Sequence, residues 1–183
     1  METMTKNDVK VWSLDPTHSS VHFAVKHMVI SQTKGSFTSY KLKVETNGLE
    51  FSDAKIELEI DVNSINTATT DRDNHLRATD FFDVEKYPTI KFVSKSMTKI
   101  NEEDYKLVGD ITIKGITKSI EFKVNYGGQL IDPWGNIRAG FTIESSIDRY
   151  DFGLNWNTVL EAGQVMLSKI VKLQAEIEIV TPK

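Results

Sequence analysis

Ile137-Arg-Ala-Gly-Phe-Thr-Ile-Glu-Ser-Ser-Ile147 sets Ile137, Ala139, Phe141, Ile143 and Ile147 on odd positions and Arg138, Thr142, Glu144 and Ser146 on even ones. A two-residue period sends alternate side chains to opposite faces, so this run reads as a strand with one face in a core and one in water. The same rhythm returns near the end of the chain, where Val171, Leu173, Ala175, Ile177 and Ile179 alternate with Lys172, Gln174, Glu176 and Glu178. It recurs where Ile56, Leu58, Ile60 and Val62 alternate with Glu57, Glu59 and Asp61. Shorter versions occupy 21–25, 40–44, 90–92, 107–113 and 120–126, and with a first strand near 11–14 the pattern gives about nine strands.

Asn47-Gly48, Lys114-Gly115, Gly127-Gly128 and Asp132-Pro133-Trp134-Gly135 supply the positive or preset φ of tight turns, so the strands are expected to follow one another as an antiparallel meander. Two stretches break the rhythm. Residues 70–82 are expected to hold a short helix, capped by Thr70 or Asp71 with Asp73 in its first turn, and end in Phe81-Phe82. Residues 150–164 mix Tyr150, Phe152 and Trp156 with Gly153 and Gly163. A sheet with one apolar face must hide that face, and eight or nine long strands do so by closing on themselves. Such a barrel is either filled by its own side chains or able to hold one small ligand, and periodicity does not distinguish the two. The aromatic groups of the two irregular stretches either plug the barrel ends or form the lid and mouth of a cavity. In the second case Arg72, Arg77 and Arg149 would lie near its rim.

The chain has 183 residues, enough for one domain, and 22 basic against 26 acidic side chains give a net charge of −4. No basic excess exists to neutralise a phosphate backbone, so nucleic acid is not an expected partner. The densest apolar stretch, 23–30, is interrupted by Lys26 and His27 and is too short to span a bilayer. The first residues lack the basic-then-apolar pattern of a secretory signal, which gives a cytoplasmic expectation, with 1–9 a flexible segment and 10–183 the domain. With no cysteine, only oxygen and nitrogen chemistry remains. His18 and His22 would share a strand face but stand about 13 Å apart at ~3.3 Å per residue, too far to hold one ion, and His27 has the opposite parity. No metal site is expected. No Gly-x-Ser-x-Gly elbow is present, and the glycine pair lacks phosphate-loop spacing. Asp71, Asp73, Asp80 and Asp83 cluster around the helix, where capping accounts for the early ones.

Several separated motifs run in one order. They are His18-Ser-Ser-Val-His-Phe-Ala-Val-Lys-His-Met28 with Gly35-Ser36-Phe37, and Asp71-Arg-Asp-Asn-His-Leu76 leading to Asp80-Phe-Phe-Asp83 and Pro88. Gly109-Asp-Ile-Thr-Ile-Lys-Gly115-Ile-Thr117 and Ile147-Asp-Arg149-Tyr-Asp-Phe-Gly153 complete the set. Over roughly 12–180 the chain resembles the YceI-like family, the polyisoprenoid-binding or lipocalin-like domain. The resemblance implies an all-β, extended antiparallel lipocalin-like barrel with one or two short helices, often a homodimer. It also implies an apolar tunnel for a polyisoprenoid or similar amphiphile, a quinone or fatty-acyl chain being alternatives, with no other cofactor. The expected function is a non-enzymatic carrier. Phe23, Val25, Phe37, Leu58, Phe92, Phe122, Phe141 and Leu173 are its expected tunnel walls, with Phe81, Phe82 and Trp156 at the mouth. The family's motif histidines and arginines map onto His18, His27, His75, Arg72 and Arg149, which are scaffold or head-group candidates. The alternatives are an enzyme on an isoprenoid or lipid, with His75 or Asp73 as acid and base, and a filled barrel acting through protein contacts.

Overall fold

The computed structural model describes residues 9–52 and 54–183. Of the N-terminal segment expected to be flexible, 1–8 lie outside the described residues, and Val9 already opens the first strand. The described strands are β1 (Val9–Leu14), β2 (Ser20–His27), β3 (Ser31–Phe37), β4 (Tyr40–Asn47), β5 (Lys55–Asp61) and β6 (Ile65–Asn66). After the helix α1 (Thr70–Arg77) come β7 (Thr89–Lys99), β8 (Asp104–Ile113), β9 (Ile116–Ile131), β10 (Asn136–Asp148) and β11 (Leu167–Pro182). Neighbours pair antiparallel in the order β1-β4-β5-β7-β8-β9-β10-β11, and β11 returns to β1 through Ser13–Val180 and Leu14–Ile179. Eight strands therefore close a barrel, which removes the unpaired edge that an open sheet would leave.

β2, β3 and β6 extend this barrel from the N-terminal half of β11. Alternation does not reveal β3, Ser31-Gln-Thr-Lys-Gly-Ser-Phe37, because the residues opposite Val25, Phe23 and Val21 are Thr33, Gly35 and Phe37. Gly127-Gly128, read as a chain reversal, lies inside β9. Gly128 pairs with Gly140 and Tyr126 with Phe141, so Gly127 is the extra residue of a bulge that bends the long β9–β10 ribbon.

The helix is shorter than expected. It stops at Arg77, Ala78 turns extended, and Phe81 and Phe82 follow in tight turns that let the two rings face different neighbours. Its N-cap is Thr69, without a side-chain cap bond; Asp73 instead accepts from the backbone N–H and hydroxyl of Thr67, at 2.8 and 2.6 Å.

One barrel end is floored by the β4–β5 connection, which folds Phe51 between Trp12, Tyr126 and Phe141 at centroid distances of 4.9–5.6 Å. Trp12 is fully buried, and its indole N–H donates to Thr46 Oγ1 at 2.8 Å. Both irregular excursions, 62–88 between β5 and β7 and 149–166 between β10 and β11, leave and re-enter at the opposite end and form its roof.

Candidate functional site

Between floor and roof lies a cavity of about 160 Å³ with almost wholly apolar walls. Phe23, Phe37, Leu58, Phe92, Phe122, Phe141 and Leu173 all line it, as do Phe51, Met97, Ile60 and Ile90. The two polar residues at its margin, His22 and Gln174, are a cross-strand pair of the outward-facing set.

Two glycines keep aromatic rings flat against this wall. Gly35 stands opposite Phe23, and a methyl group on it would lie 2.4 Å from the end of that ring. A methyl on Gly109 would meet the Phe92 ring at 2.4 Å and the Val93 carbonyl oxygen at 2.4 Å. Both contacts are far inside the 3.5–4.0 Å of ordinary carbon packing, so only glycine admits the rings there.

Of the expected mouth and wall residues, Val25, Phe81, Phe82 and Trp156 lie outside the cavity lining. Val25 sits on β2 two residues beyond Phe23, toward the roof. Phe82 packs edge-on against Phe37 at 6.4 Å, so it closes the roof from above. Phe81, Trp156 and His75 form one cluster with centroids 4.9–5.2 Å apart, joining the two roof segments.

None of the five head-group candidates lines the cavity. His18 is in the turn before β2, at the floor end, so it never shares a strand face with His22. Its Nδ1 lies 3.1 Å from Asp15, which also pairs with Arg138. Asp15, His18 and Glu178 could geometrically group around a cation, yet Arg138 already spans both carboxylates and Asp132. The Arg138 guanidinium and then His18 hold the Asp15 carboxyl well below the usual carboxylate range. Arg72 braces the turn before α1, donating through Nε to Thr67 Oγ1 and through Nη2 to the Thr67 carbonyl, both at 2.7 Å. His75 Nε2 is 2.6 Å from Asp80. His27 is half-buried at the end of β2.

Arg149 is 3% exposed and bonds chiefly to main chain: the carbonyls of Ser168, Leu154, Trp156 and Leu167 accept from its guanidinium, which also donates to the Tyr150 hydroxyl at 3.5 Å and lies over the Tyr150 ring. Burial pushes its pKa down. It fastens the 149–156 segment to β11, and a head group would have to displace those carbonyls to reach it.

Phe51 escapes sequence reading because it lies in a connection without alternation. Gly35 and Gly109 could have been found, since a glycine within a strand next to a large aromatic partner marks close approach.

A closed eight-stranded antiparallel barrel, floored at one end, roofed by two inserts and with a cavity between them, has a lipocalin-like architecture. The chain belongs to the YceI-like domain family, whose profile matches residues 12–179. A UPF0312 protein of Staphylococcus aureus (strain MSSA476) is 40% identical over 168 residues, covering 91% of this chain and 95% of that protein. The Campylobacter jejuni YceI protein superposes with a TM-score of 0.75 at 31% identity, over 86% of this chain and 90% of its own. Burkholderia cenocepacia BcnA gives 0.78 at 20% identity, over 90% and 98%. A polyisoprenoid-binding domain from Saccharophagus degradans gives 0.65 at 18%, over 93% and 98%.

Proposed function

We propose that this protein binds the apolar tail of a long-chain amphiphile inside its barrel, with a polyisoprenoid as the first candidate, and carries it without chemical change. The observation that carries this reading is the apolar cavity between Phe51 and Phe37. The polyisoprenoid-binding domain of the same fold supports the ligand class. Each methylene moved from water into the cavity contributes about 0.8 kcal/mol before ordering costs, so tail length sets affinity more than head-group chemistry.

A cavity near 150 Å³ holds a benzene-sized group. A longer tail therefore enters by pushing out the roof, and the contacts it must part are Phe82 on Phe37 and the Phe81–Trp156–His75 cluster. The modest resting volume favours a second reading, a barrel filled by its own side chains and acting through protein contacts.

Mass spectrometry of detergent-free protein under native and then denaturing conditions decides between them. A stoichiometric long-chain lipid, or saturable uptake of a long-chain quinone or polyprenyl lipid, is the expected result. An empty protein that refuses both lipids overturns the carrier reading.

A further inference from the structure

The roof end carries an apolar tip that none of the described residues covers. The β2–β3 hairpin turns through Met28, Val29 and Ile30, with Val29 58% and Ile30 87% exposed. Met28 and Val29 take φ of 50° and 65°, the left-handed region that hairpin turns normally give to Gly, Asn or Asp. A β-branched valine is a costly choice there, and strain of this kind gathers at functional surfaces. Beside it stands a second small hairpin: the N–H of Met28 donates to the carbonyl of Met166 at 2.8 Å, and Val159 and Val165, both exposed, bridge to each other.

Charge below the tip is one-sided. In a chain of net charge −4, residues 16–44 contain no Asp or Glu, and neither do residues 162–175. These are the segments that pair with each other, Phe23 with Leu173 and Ala24 with Lys172. Lys26, Lys34 and Lys172 are exposed on that face, and Lys169 stands nearby, 3.6 Å from Asp148.

We propose that Met28–Ile30 inserts into the surface of an anionic lipid bilayer, with the lysines of β2, β3 and β11 against its head groups, while the neighbouring Val159–Val165 hairpin, which carries the exposed Glu161 at its turn, stays outside it. An apolar tip with lysines on the strand face below it fits that surface because apolar area and basic charge both partition there. His27, the end of β2 and the residue before the tip, lies four residues, about 13 Å at ~3.3 Å per residue, beyond Phe23 of the cavity wall. Docking thus sets the roof segments at the bilayer from which a tail would be drawn; this step rests on the lipid-binding reading.

The test is flotation of the full chain with vesicles of phosphatidylcholine alone or mixed with phosphatidylglycerol. Binding is expected only to the mixed vesicles, weakening as salt rises. Val29→Asp with Ile30→Asp, and separately Lys26→Gln with Lys34→Gln, should each lower binding at least tenfold while the thermal midpoint and bound lipid stay unchanged. No binding to mixed vesicles, or binding that both variants retain, overturns the proposal. So does a tip variant that turns a dimer into a monomer in size-exclusion light scattering without altering flotation, since a second copy then covers the tip. A protein that holds lipid yet ignores vesicles fails on docking alone; one that binds vesicles yet never takes up lipid fails on the carrier reading alone.

Discussion

Gly35→Ala tests whether glycine keeps the lumen open. The added methyl would stand 2.4 and 2.8 Å from two atoms of the Phe23 ring and 2.9 Å from Thr67 Cγ2. Restoring normal carbon contact moves the ring end by about 1 Å or more, toward the cavity that Phe23 lines. Overpacking of this kind costs about 1–3 kcal/mol. Gly35 is not in the left-handed region, so alanine returns about 0.4–1 kcal/mol through the unfolded chain, and a net loss near 1–2 kcal/mol is expected. Phe23→Ala removes the nearer obstacle and leaves only Thr67 Cγ2 at 2.9 Å, so in that background Gly35→Ala should cost much less. Urea unfolding of the four proteins, with equal slopes, gives a coupling of about 1–2 kcal/mol. Uptake of a long-chain quinone should fall in Gly35→Ala and recover in the double variant. Energies that add to within about 0.5 kcal/mol, with uptake unchanged, would refute the idea that the ring and the glycine share one space.

Arg149→Met should lower stability by roughly 3 kcal/mol or more, because the carbonyls around the lost guanidinium forfeit their donor at about 1–3 kcal/mol for each that stays buried; a loss under about 1 kcal/mol in urea would show that they find other partners. Acid should weaken the fold through Asp15 and Asp132. Arg138 and then His18 lower Asp15, while at Asp132 burial pushes upward but Arg138 and the Asn136 and Trp134 N–H groups outweigh it. Folded values below unfolded ones give a stabilisation that is complete above the ordinary carboxylate value of about 3.9 and is lost as pH falls through the folded values. Urea midpoints should therefore stay level down to about pH 5 and drop below about pH 4, and Arg138→Gln should flatten that drop; an unchanged acid slope in the variant would remove Arg138 as its cause. Phe141→Asp places a charge among Phe51, Tyr126 and the cavity wall and should unfold the barrel or abolish lipid uptake. A folded Asp variant that keeps its lipid would contradict the inward assignment.

Strands were legible wherever one face is apolar and the other wet: β10, β11 and β5 read directly from Ile137–Ile147, Val171–Ile179 and Ile56–Val62. β3 was not, since its wall position at Gly35 is filled by the Phe23 ring of the neighbouring β2. The Gly127-Gly128 pair carries a turn signature, and only its pairing across to Gly140 and Phe141 makes it a bulge. Among the candidate residues, those on well-patterned strands line the cavity, because parity alone points them inward, except Val25, which has the inward parity but lies beyond the cavity toward the roof. Those in the irregular stretches do not, because no local rule says where such a segment folds back.

The sequence alone determined an antiparallel, all-β chain and the inward parity of its strands, because side-chain alternation is a property of neighbours along the backbone. Tertiary structure decided that a hollow remains, that Phe51 floors it and Phe82 closes it, and that Arg149 is spent on carbonyls. Each of these depends on atoms brought together by strand register from distant parts of the chain. Ring against glycine, Phe23 over Gly35 and Phe92 over Gly109, is the clearest case: the space for a ligand is what remains after long-range packing.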